Sequence, residues 1–543
     1  MIYARRIFTV LLVIVSMALV DTGIAEASAQ TAANPTTKPA HARDISIGLQ
    51  AAVTSMDPHY HNVGPNNSTL RHIFQPLVSP DENQKLTPAL ATSWRAIDDT
   101  TWEFKLRKNV RWHDGSTFTA DDVAFTLKRV PNAPNSPSSF ATFTKPIIDV
   151  KIIDPHTIIF KTAFSHPLLP SDLTAIGIMS KAVGEKATID DYNLGKAAIG
   201  TGPYKFVEYI ANQRIVVKAN YDYWGGEEPW DKVTFKMLTS PAARVAALLS
   251  GDVEMIQAVP TADISKLDKN TKFALSNKVS NRVIYAHLNQ HQDKASAFLS
   301  DNASKPLDKN PLKDLRVRKA LSMAINRDAI VSCGMEGRAV SASQLLADNF
   351  FGTSKKLKPT KFDPEGAKKL LAEAGYPNGF AMTIHGPNNR FINDAAIAQT
   401  IAQFYSRIGI DVKVDTMPSS VYFTRASKLE FSYMVLGWGT ESGEQGSALR
   451  SLLATYDTAK GMGVTNRGRY TNPAFDKALG EALVTMDDTK REGMIQRAAE
   501  MAMEDVGLIP LHYEVSTWAT TRALKYTPRT DQYTLAMNLK PAK

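Results

Sequence analysis

Residues Phe431-Ser432-Tyr433-Met434-Val435-Leu436-Gly437-Trp438-Gly439-Thr440-Glu441 pass from an apolar, β-prone run into two glycines around a tryptophan, and then to a carboxylate. An apolar run of this length suits a buried strand of an α/β sheet, where both faces are covered and strict alternation is lost. Gly437 and Gly439 allow a neighbouring chain or ligand to approach the backbone closely. Glu441 then falls where the strand would leave the sheet, the usual ligand crevice of open α/β folds. The bland alternative is a strand ending in a loop with one solvated acid, and the stretch alone does not decide between them.

Other reactive residue types fall into no catalytic pattern. No Gly-x-Ser-x-Gly elbow occurs, so an exported hydrolase lacks its usual nucleophile motif. Cys333 is the single cysteine and has no motif around it; it is expected to be a buried packing residue. His59-x-His61 and the pair His287 and His291 come without cysteine or a Glu-rich partner motif, so no metal site and no cofactor are expected. Met56, Asp57 and His59 lie in a turn-rich loop after the first expected strand, where Asp57 before Pro58 reads as a turn former.

The elements that must position these residues follow from periodicity. Ile45 to Leu49 alternates and should be a strand, and Trp102 to Arg107 a half-buried antiparallel one. Thr119 with Asp122 fits a capped helix start, and Asp154-Pro155-His156 joins a hairpin. Beyond Gly200-Thr201-Gly202-Pro203-Tyr204 strands alternate with helices. Helices are expected from Ser240-Pro241 to Leu249, Asp314 to Ile325, Asp363-Pro364 to Gly375, Asp394 to Arg407, Pro473 to Leu483 and Asp488 to Glu504. Strands are expected at Ile410 to Val414 and around Leu508 to Tyr513. The layout is α/β with an antiparallel insertion between about residues 79 and 195.

The 543 residues allow two or three domains, and 43% hydrophobic with 22% charged residues is an ordinary globular balance. Arg5 and Arg6 precede an apolar run from Ile7 to Val20, with small-x-small cleavage sites at Ala25 to Ala29. Residues 1–29 therefore read as a secretory signal peptide, since the run is shorter than the roughly 20 residues of a membrane span. Residues 30–43 read as a flexible leader. With no cysteine after the signal, a lipid anchor is not expected, and one cysteine allows no internal disulfide. The formal net charge of +9 is spread along the chain, without the basic run that tracks nucleic-acid phosphates.

One ordered set of motifs narrows the reading. Leu86 to Trp94 (Leu-Thr-Pro-Ala-Leu-Ala-Thr-Ser-Trp), Trp102 to Arg107, Val110-Arg111-Trp112-His113-Asp114-Gly115 and Thr119 to Val123 resemble the signature of family 5 extracellular solute-binding proteins. These are the dipeptide, oligopeptide and nickel receptors of ABC importers. Asn220-Tyr221-Asp222-Tyr223-Trp224-Gly225-Gly226, Asp314 to Leu321 and Asp363 to Leu371 with Ala374-Gly375-Tyr376 continue the resemblance in family order.

The resemblance implies a two-lobed periplasmic binding protein fold of type II, a flytrap with an extra α+β subdomain inserted in lobe I. Lobe I would comprise residues 44–78, 196–288 and 512–543, the subdomain 79–195, and lobe II 289–511. It further implies a monomeric, non-enzymatic periplasmic receptor that binds a di- or oligopeptide between the lobes and delivers it to an inner-membrane ABC permease. By the same match Glu441 would hold the ligand's α-amino group, although the family more commonly has Asp there. Gly437 and Gly439 would supply backbone pairing and Trp438 a wall. Arg390, on the loop Gly386-Pro387-Asn388-Asn389-Arg390, would hold a carboxylate, after a small shift in spacing. Met56 and His59 would line the pocket. An opine, oligosaccharide or metal chelate on the same scaffold remains the alternative.

Overall fold

The computed structural model describes residues 43–542. The expected signal peptide and all of the leader except Arg43 lie outside the described residues. Among the described residues no helix is long and apolar enough to cross a membrane.

Two long strands, Phe273–Leu288 and Ile509–Thr521, run antiparallel to each other and form the spine of a twelve-stranded sheet. Their flanking partners change along their length. At one end Met255–Ile256 pairs with Thr520 and Ala519 and leads on to Asp44–Leu49, Lys232–Met237, Arg214–Ala219 and Tyr204–Ile210. At the other end Tyr433–Gly439 pairs with Arg282 to Leu288, and Ala339–Ser341 pairs with His512 to Glu514. Between these ends the register is interrupted from Val279 to Val283, a bulge that bends and twists the strands locally. The result is a mixed α/β structure of two lobes sharing one sheet.

Local signals explain the helices. Ser240 accepts a hydrogen bond from the Ala243 N–H and Pro241 opens Pro241–Ser250, which Gly251 ends at φ +78. Asp314 and Asp363 cap Leu315–Ala324 and Pro364–Glu373 in the same way. Thr119 and Asp122 form the expected capping box of Ala120–Arg129. Thr101–Leu106 and the hairpin Ile147–Asp154 with Thr157–Thr162 join Ala91–Asp98 in a separate four-stranded antiparallel sheet with its own core around Phe104, Phe118 and Phe160.

Tyr433–Gly439 has a core on each face. Tyr433 and Val435 pack with Ile284, Ile384 and Phe391, whereas Met434 and Leu436 pack with Val283, Tyr285 and Tyr513. Cys333 differs from expectation because it is exposed. It lies in a π-helical turn, Ile330–Gly334, that buries only Ile330.

Candidate functional site

The site is built from the open edge of Tyr433–Gly439. One edge is covered by Phe273–Leu288, and the other is paired with Ala381–Pro387 only at Tyr433 and Met434. Ala381–Pro387 then continues beside Asp411–Met417 and leaves the edge beyond Met434. Main-chain directions follow from three bonds. The Ser432 carbonyl accepts from Asn289 N–H, and the Thr440 N–H donates to the Asn281 carbonyl, so even-numbered residues face the covered edge. The Val435 carbonyl accepts from the Tyr422 hydroxyl at 2.8 Å on the other side. By the two-residue period of a strand, Gly437 and Gly439 present their N–H and C=O groups to the open edge.

A side chain would clash at Gly437 and be crowded at Gly439. A Cβ at Gly437 would lie 2.7 Å from Phe391 and 2.7 Å from Ile284, and one at Gly439 would lie 3.2 Å from Nη2 of Arg282. Trp438 faces the opposite side, against the core that contains Val283 and Tyr513, and its indole N–H is buried without a partner.

Glu441 lies in the turn after the strand. Gln84 clasps this turn, its Nε2 donating to the carbonyls of Glu441 at 2.8 Å and of Thr440 at 3.2 Å. The Glu441 side chain keeps solvent access, yet protein surrounds it closely enough that desolvation is the largest influence on its carboxyl pKa. Desolvation raises the pKa above the usual glutamate range, and Arg71 and Arg282 pull it back in part. Among the described residues its carboxylate has no hydrogen bond or ion pair of its own.

Arg390 shows the same condition with opposite sign. Its main chain is pinned, because Asp394 accepts from the N–H groups of Arg390 at 2.9 Å and Phe391 at 3.1 Å. Its guanidinium is exposed, 5.2 Å from the Phe391 ring, and has no hydrogen-bonding partner among the described residues. Burial by surrounding protein, with Arg282 nearby, pushes its pKa down to about 10, so it stays charged at neutral pH. Arg282 is within electrostatic reach of both. Its own Nε is held by Gln532 at 3.1 Å and Glu514 at 3.4 Å.

Met56 and His59 do not belong to this constellation, and their expected place on the pocket wall is corrected. Both are fully buried. The Met56 N–H donates to Asn193 Oδ1 at 2.8 Å, and His59 stands 2.9 Å from the Gly177 carbonyl and 3.0 Å from Arg129 Nη1. Asp57 and Arg129 form a bidentate pair at 2.5 and 3.1 Å, and this pair draws the loop inward. Burial and Arg129 push the His59 pKa down to about 4.

Sequence reasoning missed Arg71, Arg282, Phe391, Glu514, Asp531 and Tyr533. Only the folded structure shows Arg282 paired opposite Gly439. Two larger hollows, of 700 and 810 Å³, adjoin the site but contain neither Glu441 nor Arg390. Their buried acids are already engaged, Glu444 by Arg491 and Glu500 by Ser354 and Lys356. Among the described residues no group of three or more His, Cys, Asp or Glu side chains could hold a metal ion.

A mixed α/β sheet with an unpaired strand edge is the architecture of the periplasmic type II binding-protein fold, which the chain shares with solved periplasmic binding proteins. The family model for bacterial extracellular solute-binding proteins, family 5, matches residues 85–460, and the chain belongs to that family. It is 30% identical over 510 residues to the glutathione-binding protein GsiB of Pectobacterium atrosepticum, covering 89% of this chain and 91% of that protein. It is 28% identical over 477 residues to heme-binding protein A of Haemophilus influenzae, covering 83% of each. The structure of the Helicobacter pylori periplasmic binding protein DppA in complex with the peptide STSA superposes with a TM-score of 0.75 at 24% identity, covering 92% of this chain and 98% of that one.

Proposed function

We propose that this protein is a monomeric periplasmic receptor that binds a short peptide between its lobes and delivers it to an inner-membrane ABC permease. On this reading residues 1–29 are a cleaved signal, the mature chain carries no lipid, and no covalent chemistry is performed on the ligand. Lobe I takes residues 44–78, 196–288 and 512–543, with the subdomain 79–195, and lobe II takes 289–511. The change of flanking partners along the two long strands supports crossovers a few residues inside those limits, near the bulge.

The carrying observation is the unpaired Glu441 carboxylate at the end of an open strand edge. A peptide laid along Gly437 and Gly439 would complete their main-chain hydrogen bonds, as in strand addition, and would bring its ammonium to Glu441. Arg390, with a free planar fork of donors, suits the terminal carboxylate. Closure follows from the ligand's preferential affinity for the closed arrangement.

The test is calorimetry with alanyl-alanine, its N-acetyl derivative and its C-terminal amide. Acetylation is expected to weaken binding by at least about tenfold, equivalent to ~1.4 kcal/mol. Amidation is expected to weaken wild-type binding but to leave Arg390→Ala unaffected. Equal affinity for free and acetylated peptide would remove the amino-anchor role.

A further inference from the structure

Gln84 lies in the turn of residues 81–85, between the short paired strands Val78–Pro80 and Leu86–Pro88. The turn is firmly built. The Asp81 carboxylate accepts from the N–H groups of Asn83 and Lys85, both at 2.8 Å, and the Gln84 N–H donates to the Asp81 carbonyl at 3.1 Å. It is also fastened from outside. The Thr530 N–H donates to the Glu82 carbonyl at 3.0 Å. Arg529, paired with Asp531, donates to the carbonyls of Pro80 at 3.1 Å and Asp81 at 3.0 Å. Within this turn Gln84 sits at φ +62, a left-handed conformation that costs a residue with a side chain and would suit glycine.

The side chain that occupies this costly position is buried, and both bonds of its Nε2 go to the end of the open strand edge, at Thr440 and Glu441. The Thr440 carbonyl has further donors in the Asn281 side chain at 3.0 Å and the Gly443 N–H at 3.2 Å. Among the described residues the Glu441 carbonyl has no donor but Gln84. The fit is close, since a Cβ at Gly443, itself at φ +66, would lie 3.1 Å from the Gln84 Cβ. The Glu441 carboxylate makes no hydrogen bond of its own, so its place depends on a main chain held by one amide.

On the lobe division above, residues 81–85 and 529–530 belong to lobe I, whereas Thr440 and Glu441 belong to lobe II. We propose that Gln84 is a positioning residue for ligand recognition, an inference that rests on the peptide reading above. Reaching across the lobe boundary, it holds the Glu441 main chain so that the carboxylate meets the ligand's ammonium, and it does so only while the lobes stand as they do here. The movement that encloses a ligand then also sets its amino anchor in place, which ties recognition of that group to closure.

The experiment uses the full mature chain and two variants. Gln84→Gly removes the amide and relaxes the backbone; Gln84→Asn keeps the amide and tolerates the left-handed conformation but shortens the reach. Calorimetry with alanyl-alanine, its N-acetyl derivative and its C-terminal amide gives one penalty for blocking each end. In both variants the acetylation penalty is expected to shrink by at least about threefold, while the amidation penalty, read at Arg390, stays as in wild type. Amide exchange in the ligand-free protein gives a second reading that needs no peptide, and residues 440–444 are expected to exchange faster in Gln84→Gly. An unchanged acetylation penalty, both penalties shrinking together, or unchanged exchange overturns the inference and leaves the peptide reading intact. Equal wild-type affinity for free and acetylated peptide removes the amino anchor itself, and this inference with it.

Discussion

Gly439 stands directly opposite Arg282 on paired strands, and a Cβ on the glycine would lie 3.2 Å from the arginine's Nη2. The guanidinium therefore lies over bare backbone, on the face that also carries Gly437 and Phe391. It shares the Phe391 ring with Arg390, the two guanidinium carbons lying 6.0 and 5.2 Å from its centroid. A side chain at residue 439 would push the guanidinium aside by a few tenths of an ångström or more.

Glu441→Gln is expected to weaken binding of free-amine peptides by at least about tenfold at neutral pH. The ligand-free protein should respond in the opposite sense. A carboxyl whose folded pKa lies above its unfolded value penalises the native state when ionised, and the penalty is relieved as pH falls through the folded pKa toward the unfolded one. The glutamine variant should thus melt slightly higher than wild type at pH 7, with the gap closing in acid. Wild-type affinity should decline over the same window, because protonated Glu441 no longer attracts an ammonium. Calorimetric titrations from pH 7 to pH 4, with melting curves of both proteins, check each part.

Gly437→Val places atoms where Phe391 and Ile284 already stand. Overpacking of this kind costs about 1–3 kcal/mol, readable as a shift in urea midpoint. Peptide affinity should fall by more than stability alone explains, because displacing Phe391 and Ile284 shifts the strand whose open edge the ligand would pair with. Retained affinity with lowered stability would show that the ligand does not use this edge.

His512 is fully buried, neither ring nitrogen has a partner, and burial pushes its pKa down to about 4. A histidine depressed in the folded state stabilises the protein fully above its unfolded pKa of about 6.5, and that stability is lost as pH falls toward 4. Between those limits the unfolded chain binds a proton that the native one refuses, worth about 1.4 kcal/mol per pH unit. His512→Leu should leave stability at pH 7 nearly unchanged and be about 2 kcal/mol less sensitive to a drop from pH 7 to pH 5. Denaturant titrations at both values decide it. His59, His72, His287 and His385 share the same sign of shift and set a steep acid limit for the wild type.

Much of the architecture was legible because its signals are local. Caps such as Asp314 and Asp363, the hairpin around Asp154-Pro155-His156 and the glycines flanking Trp438 declare themselves within a few residues. The acid at the end of that strand was legible for the same reason. Arg71, Asp531 and Tyr533 were not, since they lie 370, 90 and 92 positions from Glu441 and only tertiary packing brings them near it. The first-strand loop misled because Asp57 is bound by Arg129, a partner 72 positions distant, which turns Met56 and His59 into the interior. Cys333 misled in the opposite direction, since a short π-helical turn left it in solvent.

The strands Phe273–Leu288 and Ile509–Thr521 stay paired from one lobe into the other. Each lobe therefore holds only part of each long strand, and separating the lobes would sever both strands in mid-length. Heat should dismantle the molecule in a single cooperative event, with one calorimetric peak instead of two. Attempts to express either lobe alone should yield aggregates, because the spine that permits bending is also the seam that prevents separation.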